Sequence, residues 1–146
     1  MKYTLDVIID KPVDRVIELF DNPDNMFKWM EGLEKIECIE GDPGQPGAKS
    51  RLHFDLGKRK IDMVETILSK NLPKEITGTY ETEGVYNHIR NSFITTPDGK
   101  TRYHAEQEFR FDSFMMKVVG FFMPGTFKKQ SLKYMNDFKA FAEKEA

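Results

Sequence analysis

Apolar and polar residues alternate at the start of the chain, so Tyr3, Leu5, Val7 and Ile9 share one side of an extended segment and predict an opening strand. Lys11-Pro12 then places a proline where a helix tolerates it, in the first turn, and Val13, Val16, Ile17 and Phe20 follow at helical spacing. Asp21-Asn22-Pro23 ends that short helix and begins a second one carrying Met26, Phe27 and Trp29. From Leu33 to Phe111 the period returns to two. It is broken at residues 41–47 (GDPGQPG), Gly57-Lys58, Asn71-Leu72-Pro73, Glu83-Gly84 and Pro97-Asp98-Gly99. These breaks delimit about six strands joined as a meander.

The last break fixes a register. Pro-Asp-Gly fits a hairpin loop made of a type I turn followed by a glycine in the left-handed region. With Thr96 opposite Lys100, one side of the sheet pairs Phe93 with Tyr103, Asn91 with Ala105, Ile89 with Gln107 and Asn87 with Phe109. The other side pairs Arg90 with Glu106 and His88 with Glu108. Opposite charges meet there, on the face that also carries Arg102, His104 and Arg110, which marks it as the solvated one. After Asp112 the spacing becomes helical again. Phe127, Ser131, Met135, Phe138 and Ala142 recur at steps of three and four and predict a long C-terminal helix. Ser113 is a suitable N-cap, and Pro124-Gly125 separates residues 114–123 from the main helix at a kink.

A length of 146 residues suits one domain, 1–146, with no internal repeat or linker. Lys and Arg total 22 against 24 Asp and Glu, and the charge is spread along the chain, so nucleic acid is not an expected partner. The two basic clusters, Lys58-Arg59-Lys60 at a hairpin tip and Lys128-Lys129 on a helix, read as solvated charge. The single cysteine, Cys38, has no internal disulfide partner and reads as buried apolar filler in a reducing compartment. Asp6 interrupts the N-terminal apolar stretch, and no run approaches the roughly 20 apolar residues of a membrane span. A cytoplasmic protein is the expectation. Twelve Phe and eight Met point to large, adaptable apolar surfaces.

Strand, two short helices, six-stranded meander and long final helix is the order of the START-like superfamily (SRPBCC), also called Bet v 1-like or the polyketide cyclase/dehydrase and lipid-transport group. The chain resembles it over essentially its whole length. The resemblance is carried by the opening strand with KPVDRVIELFDNPDNMFKW, by the loop GDPGQPG, by VETILSKNLPKEITGTYE, and by SLKYMNDFKAFAEKE at the end. It implies an α+β helix-grip fold, a curved antiparallel sheet of about seven strands wrapped round the C-terminal helix. It also implies a cavity between the two that takes lipids, sterols, polyketides or other hydrophobic molecules.

The residues themselves lead to the same cavity. Leu52, Phe54, Ile61, Met63, Tyr80, Ile89, Phe93, Tyr103 and Phe109 line the concave face, with Asn87, Asn91 and Gln107 among them as a polar end. An inward amide left unpaired costs about 1–3 kcal/mol, so these three bond a ligand, or one another, the neighbouring tyrosines or trapped water. Glu65 and Tyr103 are the candidate proton carriers. Glu65 faces inward if Gly57-Lys58 forms a two-residue turn, and outward if a bulge intervenes in its long strand. His53, His88 and His104 fall on the outer face by strand parity, and no metal-ligand spacing or nucleophile–base set is evident. No cofactor is expected. The loop at residues 41–47 lacks the amide donors and following helix of a phosphate cradle.

The resulting expectation is a noncatalytic carrier or sensor of a hydrophobic small molecule. One alternative is a cyclase/dehydratase-type enzyme using the same cavity. A second is a protein-interaction module similar to the Hsp90-activator branch. Residues 114–123 (FMMKVVGFFM) are expected to pack in the core, or to form a lid that makes transient membrane or protein contact.

Overall fold

The computed structural model describes residues 1–112 and 124–145, and the expectations for Ser113 and for residues 114–123 lie outside them. The described elements are β1 (Lys2–Ile9), α1 (Val13–Phe20), a 3-10 turn (Pro23–Asn25), α2 (Met26–Trp29), β2 (Leu33–Glu40), β3 (Lys49–Asp55), β4 (Lys60–Asn71), β5 (Glu75–Thr82), β6 (Val85–Thr95), β7 (Thr101–Phe111) and α3 (Pro124–Lys144). The period changes in the sequence fall at these boundaries. Pro12 immediately precedes α1 with its φ at the helix-compatible value of -67°, and the side chain of Asn22 accepts from the Asp24 amide to start the 3-10 turn.

All seven strands pair antiparallel in one curved sheet of order β1-β7-β6-β5-β4-β3-β2. The meander runs from β2 to β7, and β1 returns to pair with β7, so α1 and α2 form the crossover between the two edge strands. The β6–β7 register is the one the Pro-Asp-Gly loop predicts, with Phe93 opposite Tyr103, Asn87 opposite Phe109 and Arg90 opposite Glu106. Gly99 sits at φ +83°, and the Thr96 amide donates to the Lys100 carbonyl at 2.9 Å.

Two apolar clusters fill the inside of the sheet. One joins β1, α1 and α3 through Leu5, Val7, Ile9, Val16, Met135 and Phe138. The other joins β2 and β3 through Leu33, Leu52 and Phe54, with Met26 and Met30 packed against it. α3 is tied to β1 by three polar contacts: Tyr3 Oη to Ser131 Oγ at 2.7 Å, the Asp10 amide to Glu143 at 2.7 Å, and Lys139 Nζ to the Ile8 carbonyl at 2.7 Å. Among the described residues no helix is long and apolar enough to cross a membrane.

Candidate functional site

Strand parity sends one row of side chains from each strand towards α3, and between the two apolar clusters these rows enclose a cavity with two chambers. The larger, about 730 Å³, runs from the β3–β4 hairpin tip to α3. Phe54, Ile61, Met63, Ile89, Tyr103 and Phe109 of the sheet form one wall, and Phe127, Gln130, Ser131, Tyr134 and Met135 of α3 the other. The smaller, about 330 Å³, lies under α1 and α2 and opens towards Pro43 and Gly44 of the β2–β3 loop. Phe20, Trp29, Tyr80, Ile89 and Asn91 border both.

Of the expected lining residues, Phe54, Met63, Tyr80, Asn87, Ile89, Asn91, Tyr103, Gln107 and Phe109 lie on the wall of the larger chamber. Leu52 and Phe93 do not line it. Leu52 points the expected way but is fully enclosed in the β2–β3 cluster. Phe93 is sealed by the rings of Phe20 and Tyr103, at 4.9 and 4.8 Å between centroids. The helix side of the wall was missed by strand-based reasoning. Phe20, Trp29 and Met30 from the crossover, and Tyr134 from α3, complete the enclosure. Phe20 and Trp29 were placed on helices from the sequence and Met30 and Tyr134 were not singled out, and which cavity any of them faces depends on how the helices pack.

The polar groups on the wall differ in how they are paired. Asn87 Nδ2 donates to Gln107 Oε1 and to the Glu108 carbonyl, both at 3.2 Å, so these two amides pair with each other. Asn91 differs: its Oδ1 is buried with no partner among the described residues, and so is Nε1 of Trp29.

Glu65 faces inward. The β3–β4 connection is a two-residue tip, with Asp55 opposite Lys60 and the Leu56 amide donating to the Arg59 carbonyl at 3.0 Å. Parity from that tip brings Ile61, Met63 and Glu65 to the cavity side. The strand does contain a bulge, but it falls at Leu68, beyond Glu65, where Ile67 pairs with Gly78 and Ser69 with Thr77. Tyr80 Oη donates to Glu65 Oε2 at 2.6 Å. Burial pushes the Glu65 carboxyl above the ordinary carboxylate range, partly offset by that hydrogen bond. The surface it retains opens onto the smaller chamber.

Tyr103, the other candidate proton carrier, is 6% exposed among Phe20, Phe93 and Phe138. Burial raises its hydroxyl pKa, which makes it a neutral hydrogen-bonding group and a poor base.

The three histidines occupy the outer face. His53 contacts Glu37 at 2.7 Å and Asp62 at 2.8 Å, and the Glu37 hydrogen bond raises its pKa. His104 meets Asp6 at 2.7 Å. Among the described residues no cluster of His, Cys, Asp or Glu is arranged to hold a metal. Cys38 corrects an expectation: its thiol is exposed, on the edge strand β2, where the residue lines the open smaller chamber instead of packing in a core. The sulfur lies 3.4 Å from the Gly41 carbonyl.

Comparison with known proteins places this geometry in context. The sequence profile described as polyketide cyclase/dehydrase and lipid transport matches residues 1–143. No curated protein matches the chain. Similar solved structures include the Zhui aromatase/cyclase from Streptomyces sp. R1128, with TM-score 0.76 and 15% identity over 98% of this chain and 93% of that one. Norcoclaurine synthase from Thalictrum flavum, solved with dopamine and hydroxybenzaldehyde, gives 0.74 and 15% over 100% and 88%. Ara h 8.0201 gives 0.75 and 12% over 97% of each chain. At these identities the likeness is one of fold, the Bet v 1-like helix-grip arrangement.

Proposed function

We propose that this chain, which belongs to the polyketide cyclase/dehydrase and lipid transport family, binds a hydrophobic small molecule between its sheet and C-terminal helix as a cytoplasmic carrier or sensor. One observation carries the reading: a cavity of about 730 Å³, walled by Phe54, Met63, Phe109, Phe127 and Met135, with polar side chains from both the sheet and the helix among them. That size and composition suit a lipid-like or polycyclic ligand, whose apolar surface would drive binding while the polar atoms orient it. Titration with N-phenylnaphthylamine, a neutral dye that fluoresces in apolar surroundings, tests it. Saturable binding of one dye per chain is expected, and a response that never saturates would overturn the reading.

A second reading, acid–base chemistry on the bound molecule, is favoured by the inward turn of Glu65. A carboxyl that burial holds above its ordinary pKa, and that accepts a hydrogen bond from a tyrosine, can give or take a proton. On this reading Glu65→Gln abolishes water loss from a β-hydroxyketone probe, followed by mass, while dye binding persists. Equal turnover by both proteins would remove Glu65 from any reaction.

A further inference from the structure

Glu65 and Tyr80 are direct partners across the β4–β5 ladder, and the Tyr80 hydroxyl lies 2.6 Å from Glu65 Oε2. The two residues do not face the same space. Glu65 borders the smaller chamber, whereas Tyr80 stands on the wall shared by the chambers and borders both. A tyrosine hydroxyl has one proton to donate. A carboxyl only accepts when it is ionised, and donates as well once it is protonated. The state of Glu65 therefore dictates what Tyr80 can offer to a molecule beside it.

With Glu65 ionised, the Tyr80 proton is committed to the carboxylate in a charge-assisted bond, against which a neutral ligand competes poorly. With Glu65 protonated that charge is gone. The acid proton can then be given to Tyr80 Oη, and the Tyr80 proton turns to an acceptor in the chamber, so that three groups form one continuous chain. Burial favours the protonated form of Glu65. Tyr80 itself stays neutral, because burial and the neighbouring Glu65 raise its pKa.

The other ionisable groups around the pair come from several elements. Asp21 at the end of α1, Asp24 in the 3-10 turn and Cys38 on β2 line the smaller chamber, and Asp21 is paired with Lys70 of β4 at 2.9 Å. Tyr103 of β7 and Tyr134 of α3 line the larger one, and burial keeps both neutral. Arg59 and Glu83 also line it.

Resting on the ligand-binding reading above, we propose that Glu65 and Tyr80 form a proton-controlled selectivity switch, in which protonation of Glu65 adds a preference for hydrophobic ketones and ionisation removes it. The ketone oxygen accepts from Tyr80 Oη, which in turn accepts from the Glu65 acid. Linkage makes the effect reciprocal, so a bound ketone holds the proton on Glu65.

Acetylnaphthalene and isopropenylnaphthalene, substituted at the same ring position, test the switch. They differ by an oxygen in place of a methylene group, and neither titrates. Their dissociation constants are measured from about pH 5 to about pH 9. The affinity ratio of ketone to hydrocarbon is expected to fall at least about tenfold across that range, with its midpoint above the ordinary 4.5 of a glutamate. Glu65→Gln is expected to make the ratio independent of pH. Tyr80→Phe is expected to hold it at the parent's high-pH level throughout. Hydrocarbon binding by each variant shows that it is folded.

A ratio that does not vary with pH in the parent overturns the proposal. So does a pH dependence that survives Glu65→Gln, which would assign it to another group, or one that survives Tyr80→Phe, which would have the ketone bonded to Glu65 directly. If neither compound binds while N-phenylnaphthylamine does, the switch falls and the cavity reading stands. If the dye also fails to bind, both fall.

Discussion

Glu65 is the side chain on which burial and chemistry conflict most directly. Water would keep it ionised at neutral pH, whereas the cavity wall favours the neutral acid, so its folded pKa lies above the ordinary 4.5. A raised carboxyl pKa means that the folded state holds the proton more tightly than the unfolded chain. The stabilisation is therefore complete below the unfolded value and is lost as pH climbs towards the folded one. Glu65→Gln removes this dependence. Its melting temperature relative to the parent should rise from about pH 4.5 upwards and level off once the pH has passed the raised folded value. Tyr80→Phe deletes the hydrogen bond that lowers the Glu65 pKa, so it should extend the pH-sensitive range upwards. A melting-temperature difference flat in pH for Glu65→Gln would contradict the inward, proton-binding placement.

At the scale of elements, sequence patterns specified the strands and the register of one pair, β6–β7. Pro97-Asp98-Gly99 set the β6–β7 pairing because a three-residue turn leaves no freedom to slip, whereas Gly57-Lys58 left β3–β4 open between a two-residue turn and a bulge, and the structure has the turn. The bulge at Leu68 was not legible at its position. Nothing in LSKN distinguishes a paired from an unpaired residue, and that choice is made by the neighbouring strand. Gly78 on β5 records the same constraint. A Cβ there would lie 2.9 Å from the Thr66 carbonyl oxygen of β4, a backbone atom held in the ladder. Gly78→Ala should therefore destabilise by about 1–3 kcal/mol, read as a lower urea midpoint with an unchanged slope. A midpoint equal to the parent's would show that the strands can part at the bulge without loss.

For the whole molecule, the cavity was legible from one side only. Sheet parity identified Met63, Ile89, Asn91 and Phe109, because alternation fixes which way a strand residue points. Leu52 and Phe93 point the same way, yet α2 and the Phe20 ring cover them, and that cover exists only once the crossover helices have docked. The same docking brings Trp29 to the shared wall and against Phe138 of α3, with ring centroids 5.2 Å apart. The cavity is thus a property of sheet, crossover and C-terminal helix together. Ile89 borders both chambers, and a larger side chain there fills space on each side without adding a charge. The most direct measurement is native mass spectrometry of the parent and of Ile89→Trp, each incubated with N-phenylnaphthylamine, alongside their melting temperatures. The account predicts a single-dye adduct on the parent and none on a variant that melts at or near the parent temperature. Equal adducts on the two folded proteins, or none on either, would contradict a ligand site between the sheet and the C-terminal helix.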